Sequence, residues 1–335
     1  MVNRIRTEIV GAAVLLAAGF PGVTIAQPAD ESFALRPGVV VEPQTKHIYL
    51  MTPARAVEAL DAETGATLWT VSVAAQPLTV GDGLLVCQWE PDAPDDALDL
   101  IVLNTRENGK RESTAKVDLP AGVRAGIEHD LGGQFLVYAA ADRTDSFVNW
   151  EFRRVAVRGM PTDDELPDEA LPDGAPRPVE NKQDTRGAVK IELRTGKAAA
   201  VNPEEVPQDR RASAPENLTG SEGAPTDPTQ RLSIDGAHTL RSKRIAKDDT
   251  WDKYEWTIVE TATGAKTGQT TSHLSQAAFM VIGGRLVFET GPFTRRTDAG
   301  LVEEPLTLRA VDLSTGKQVW SRPVRDTEYR GDYPP

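Results

Sequence analysis

Ala59-Leu60-Asp61-Ala62-Glu63-Thr64-Gly65-Ala66-Thr67-Leu68-Trp69 has a near-copy at the far end of the chain, Ala310-Val311-Asp312-Leu313-Ser314-Thr315-Gly316-Lys317-Gln318-Val319-Trp320. Ala, Asp, Thr, Gly and Trp recur at identical offsets, which is the signature of a repeat architecture. Val57, Ala59 and Asp61 alternate as a strand. Asp61 is placed to accept backbone N–H groups at the head of a turn, and Gly65 supplies a positive φ. Leu68 to Val73 then resumes as a strand with Trp69, Val71 and Val73 on one face. The unit is a β-hairpin.

Three weaker copies keep this grammar without the tryptophan. Ile101–Asn104 leads to Asn108-Gly109, Val189–Leu193 to Thr195-Gly196, and Trp256–Glu260 to Thr263-Gly264. Each follows another short apolar run: Leu84–Cys87, Phe135–Tyr138 and His238–Ile245. Phe279–Ile282 and Leu286–Phe288, split by Gly283-Gly284, precede the final copy. Propeller repeats run about 40–45 residues. The turn glycines at 65 and 109 fit that spacing, and the longer intervals to 196, 264 and 316 call for insertions. Residues 160–187, rich in Pro, Asp and Glu, and 202–230, with five prolines, supply them. Neither has the apolar content to pack, so both are expected to be disordered loops on one rim. Five four-stranded units remain.

The Ala-x-Asp-x-x-Thr-Gly-x-x-x-Trp pattern resembles the repeat of PQQ-type (quinoprotein) β-propellers. These include quinoprotein alcohol dehydrogenases and an outer-membrane assembly lipoprotein of Gram-negative bacteria. The resemblance implies an all-β propeller of about five blades, irregular or open, where the family has seven or eight. It further implies that Trp69 and Trp320 dock on the turn glycine of a neighbouring blade. Ala59, Asp61, Thr64, Gly65, Trp69 and Ala310, Asp312, Thr315, Gly316, Trp320 are therefore structural candidates.

Residues 1–26 read as a bacterial export signal. Arg4 and Arg6 form a basic start, Ile9–Phe20 is apolar, and Thr24-Ile25-Ala26 offers small residues at a cut. The apolar run is short of the roughly 20 residues that span a bilayer. Residues 27–335 are then a propeller in the periplasm or outside the cell, with no membrane span after cleavage. An uncleaved N-terminal anchor is the alternative.

The net charge of -13 argues against nucleic acid as a partner, and no Lys/Arg cluster offsets it. The single cysteine, Cys87, allows no intrachain disulfide and lies in an apolar strand. The family's paired-cysteine quinone site therefore cannot form, and no cofactor is expected. His47, His129, His238 and His273 lack chelating spacing, as does Glu128-His129-Asp130 on a single strand. Asp92, Asp95, Asp96 and Asp99 lack a calcium-loop order. Arg295-Arg296 reads as a solvated turn, and Asn217-Leu218-Thr219 is an unused sequon. No catalytic or metal-binding residue emerges. The expectation is a non-enzymatic, protein-binding scaffold. The alternatives are a quinone-dependent oxidoreductase and a small-ligand propeller that binds, for example, a sugar.

Overall fold

The computed structural model describes residues 32–90, 97–120, 133–141, 144–154, 186–204, 206, 229–247, 251–297 and 300–325. They form an all-β propeller of five antiparallel sheets. Blade 1 contains β1 (Phe33–Arg36), β2 (Val39–Glu42), β3 (His47–Met51), β4 (Val57–Asp61) and β5 (Thr67–Val71). The sequence reading has no counterpart for β1, which adds an inner strand to this blade alone. Blade 2 contains β6 (Ala75–Gly81), β7 (Leu84–Trp89), β8 (Ala97–Asn104) and β9 (Lys110–Asp118). Blade 3 contains β10 (Gly133–Ala141), β11 (Asp145–Arg154), β12 (Arg186–Glu192) and β13 (Ala198–Val201). Blade 4 contains β14 (Gln230–Leu232), β15 (His238–Lys247), β16 (Asp252–Glu260) and β17 (Lys266–Ser272). Blade 5 contains β18 (Phe279–Ile282), β19 (Arg285–Thr290), β22 (Thr307–Asp312) and β23 (Gln318–Pro323). A separate hairpin, β20 (Phe293–Thr297) and β21 (Gly300–Glu304), is inserted between β19 and β22.

The five outer turns share one construction. A Gly65 N–H donates to Asp61 O at 2.8 Å, and the same bond closes Gly196 on Glu192, Gly264 on Glu260 and Gly316 on Asp312. Gly109 closes on Asn104 across a turn longer by one residue, which holds a short 3-10 segment, Thr105–Glu107. All five glycines have φ between +69° and +74°, where a Cβ is strained.

Four buried clusters join the blades in series. One combines Ile48 and Leu60 of blade 1 with Met280, Leu308 and Trp320 of blade 5. A second joins Tyr49 and Trp69 of blade 1 to Leu85 and Ile101 of blade 2. A third joins Leu100 and Val102 of blade 2 to Val148 and Ile191 of blade 3. The fourth joins Trp256 and Ile258 of blade 4 to Phe279 and Leu286 of blade 5. Among the described residues no buried apolar cluster spans blades 3 and 4. The packed order is thus 4–5–1–2–3, with one seam left over.

Two boundaries differ from the sequence reading. Arg186 and Gly187, assigned to the first insertion, are the start of β12, and Gln230 opens β14. Gly187 reads as a loop glycine but pairs with Trp150 on β11, whose indole ring lies where a Cβ would be. A strand glycine covered by a neighbouring aromatic looks like a loop residue in a sequence. Arg295 and Arg296 lie within β20, paired with Val302 and Leu301, and not in a turn. The inserted hairpin accounts for the difference. The leader reading of 1–26, residues 160–185 of the first insertion, residues 205 and 207–228 of the second, His129 and Asn217 lie outside the described residues.

Candidate functional site

The repeat motif builds one end of the blades. Asp61 Oδ1 accepts from the N–H groups of Glu63 (3.1 Å) and Thr64 (2.7 Å) and from Thr64 Oγ1 (2.7 Å). Asp312 Oδ1 repeats this with the N–H groups of Ser314 and Thr315 and with both their hydroxyls. The Thr64 hydroxyl bond, with the backbone bonds, holds the Asp61 carboxyl below its ordinary range. Asp312 is lowered more strongly, first by the Ser314 hydroxyl and then by the Thr315 N–H. Ala59 and Ala310 sit directly across from Trp69 and Trp320, leaving room for the indoles.

Those indoles lie on glycines of the next blade. A Cβ on Gly65 would collide with Trp320 Cγ and come 2.6 Å from Trp320 Cβ. Trp320 Nε1 also donates to Ala62 O at 2.9 Å, and Arg322 Nη2 to Gly65 O at 2.7 Å. A Cβ on Gly109 would come 2.7 Å from Trp69 Cζ3. Where the tryptophan is missing, backbone takes its place. Gly196 lies against Thr114 O, and Gly316 against Gln269 O. Gly264 alone among these five has nothing within 4 Å. The motif residues are architectural, and a turn glycine meets the neighbouring blade at four of the five seams.

The other end of the blades carries the variable features. The β15–β16 hairpin pairs out to Lys247 and Asp252, beyond the packed part of blade 4, and Arg241 and Lys243–Lys247 are exposed along it. Ile245 is the extra residue of a β-bulge between Arg244 and Ala246 and is 46% exposed. A bulge re-aims a side chain out of the ladder's alternation. Arg244 pairs with Asp252 at 2.6 Å, leaving Lys243 and Lys247 as basic flanks of the isoleucine. The ring of Trp251, at the base of the turn, lies 5.6 Å from Phe293 of the inserted hairpin. Two projecting hairpins from neighbouring blades are thereby tied into one rim. The sequence reading placed Ile245 at the end of the apolar strand run His238–Ile245, whereas it is exposed on the bulge. Its only signal was an isoleucine within the basic run Arg241-Ser242-Lys243-Arg244-Ile245-Ala246-Lys247.

The same end of blade 3 holds a cleft of about 360 Å³ lined by Tyr138, Asn149, Trp150, Glu151, Arg186, Gly187, Pro203 and Glu204. The strand ends that lead into both insertions border it.

The remaining sequence candidates are scattered. Cys87 is fully buried in β7, and burial pushes its thiol far above the ordinary range. Tyr49 is buried and donates to Glu42 Oε2 at 2.8 Å, which, with burial, holds its phenol protonated. His47 lies in β3, His238 in β15 and His273 after β17. Asp99 lies in β8, while Asp92, Asp95, Asp96 and the Glu128-His129-Asp130 triplet lie outside the described residues. Among the described residues no group of His, Cys, Asp and Glu is arranged to hold a metal. None contains a helix long and apolar enough to cross a membrane.

No family model and no curated protein matches the chain. Solved structures similar to it include BamB from Moraxella catarrhalis, at 12% identity and a TM-score of 0.28 over 84% of this chain and 62% of that one. The chain therefore spans about three fifths of that protein's length. The β-propeller domain of Myceliophteria thermophila Cps50 (Swd1) is 10% identical over 88% of this chain and 87% of its own, with a TM-score of 0.27. A europium-containing methanol dehydrogenase is 13% identical over 83% of this chain and 67% of its own, with a TM-score of 0.20. These are likenesses of fold at low identity.

Proposed function

We propose that this chain is a divergent, non-catalytic PQQ-like propeller, exported to the cell envelope, that binds a protein partner through the rim of blades 4 and 5. The observation that carries this reading is Ile245. A large aliphatic side chain at a bulge, 46% exposed on a projecting hairpin and flanked by Lys243 and Lys247, belongs to none of the buried clusters of its own blade. An apolar anchor with a polar, charged surround is the anatomy of a protein-binding patch. Its flanking charge suits an acidic surface on the partner, in contrast to the acidic chain that carries it. The leader-like composition of residues 1–26 supports export, and the Asp-x-x-Thr-Gly turns support the PQQ-like repeat.

The test is a photo-crosslinking amino acid placed at Ile245 in the producing cells, with a second at Thr263 on the opposite end of blade 4 as control. A discrete adduct from position 245 and none from 263 is the expected result. No adduct at 245, or equal adducts at both positions, contradicts the reading.

A further inference from the structure

The interface between blades 4 and 5 contains two arginines whose charge the fold leaves unmatched. Arg231 on β14 lies directly across from Leu240, and Arg309 on β22 directly across from Phe288. Leu240 and Phe288 belong to the buried cluster that joins these two blades. Directly opposed residues share a sheet face, so the two arginines face this interface from its two sides. Both lie towards the end that carries the projecting hairpins. Arg231 follows the first residue of β14, and Arg309 comes just after the inserted hairpin returns into β22. Both are half-buried, and among the described residues neither side chain makes a hydrogen bond or an ion pair. Arg309 Nε is enclosed, whereas the terminal nitrogens of Arg309 and all three nitrogens of Arg231 stay open to solvent. Glu289 attracts Arg231, but its carboxylate is paired with Arg36 of blade 1 at 3.3 Å. Burial lowers the Arg231 pKa from its ordinary value, and Glu289 offsets that only in part. Three guanidinium groups and one carboxylate leave a local excess of positive charge, in a chain whose net charge is -13. A cation drawn partly out of water without a counter-charge is costly.

We propose that this end of the blade 4–5 interface binds a small oxyanion, a carboxylate or a phosphate, on Arg231 and Arg309. The planar fork of guanidinium N–H donors matches two oxygens of either group. A cation is repelled there, and a neutral ligand leaves the excess charge as it was. The site goes beyond the protein-binding reading. It lies on the inner strand of the blade that carries Ile245 and on the facing sheet of blade 5.

Thermal melts of the full chain at constant ionic strength test the site, with inorganic phosphate and succinate as probes and chloride as reference. At about 20 mM, at least one probe is expected to raise Tm by about 2 °C or more over chloride. The probe with the larger shift identifies the preferred group. Arg231→Gln and Arg309→Gln are each expected to remove most of that shift. Their Tm in chloride should stay equal or rise, because an unmatched cation has been removed. Arg231→Lys keeps the charge but loses the fork, and should keep less than half of the shift. Arg194→Gln is the control, since Arg194 pairs with Asp82 and Glu112 at the opposite end of the blades, and it should keep the whole shift. No shift beyond chloride with either probe overturns the inference, and this result needs no variant. So does a shift that survives in both glutamine variants, or one lost equally in Arg194→Gln. The protein-binding reading stands or falls separately, on the Ile245 adduct.

Discussion

Gly65 and Gly264 occupy equivalent turns with φ of +71° and +69°, yet an indole lies on the first and open space on the second. Alanine at 264 should cost only the backbone strain of a left-handed residue, about 1–2 kcal/mol. Alanine at 65 adds the overpacking of Trp320, a further 1–3 kcal/mol. Urea denaturation of the two variants measures the difference, and equal losses would mean that the two glycines have the same surroundings. Trp320→Phe keeps most of the buried ring but leaves Ala62 O without its donor, at a cost of about 1–3 kcal/mol in the same assay. Trp69 and Trp320 were legible in the sequence because a large aromatic four residues after a turn glycine is conspicuous. Their counterparts were not. Blade 2 uses Ser113 and Thr114, and blade 4 has Gly268, whose missing side chain admits Leu313 of the next blade. Backbone-to-backbone contact leaves no residue type to recognise.

At the level of elements, the outer turns explain both what the repeat pattern detected and what it missed. Asp61 and Asp312 bond their turns directly. Glu192 and Glu260 occupy the same place in blades 3 and 4 and reach only the hydroxyls of Thr195 and Thr263. The longer side chain preserves the turn but blurs the motif. Because Asp61 and Asp312 have folded-state pKa values below their unfolded ones, they stabilise the fold above the ordinary carboxylate range. That contribution fades as pH falls through the lowered folded values. Asp61→Asn and Asp312→Asn should therefore flatten the acid side of a stability-against-pH curve obtained by thermal melts, while leaving the slope near neutrality unchanged. The outward-facing bulge residue behaves differently. Ile245→Asp should leave the melting temperature within error, since surface changes usually fall within about ±0.5 kcal/mol, and should abolish the crosslinked adduct if the aspartate is placed beside a probe at Lys247. The bulge was illegible because it depends on a one-residue mismatch between β15 and β16, which only the pairing of the two strands defines.

For the whole molecule, five blades were legible from the spacing of turn glycines, and the order of packing was not. Every blade but one presents an apolar residue to its successor about six residues before its turn glycine: Ala59, Val102, Ile258 and Ala310, all buried. Blade 3 presents Lys190 there, paired with Asp145 at 2.9 Å. The outer strand pairs of the other four blades contain a register shift near the turn, and β12–β13 contains none. Ala199 stands opposite Lys190, and both are exposed. Blade 4 answers with Arg241 and Gln269, likewise exposed, on the face away from its cluster with blade 5. Among the described residues the seam between blades 3 and 4 is thus the one without a buried apolar cluster of its own, with exposed Lys190 and Ala199 on one face and Arg241 and Gln269 on the other, beside the buried Ala188 and Val259. The first and last blades are joined by Trp320.

Distances between spin labels across that seam test this arrangement most directly. Cysteine pairs at Ala199 and Thr263 (blades 3 and 4) and at Val319 and Thr64 (blades 5 and 1) occupy equivalent places, and the buried Cys87 stays unlabelled. A narrow distribution for the 319–64 pair and a longer, broader one for 199–263 is the predicted result. Two narrow distributions of equal length would contradict it.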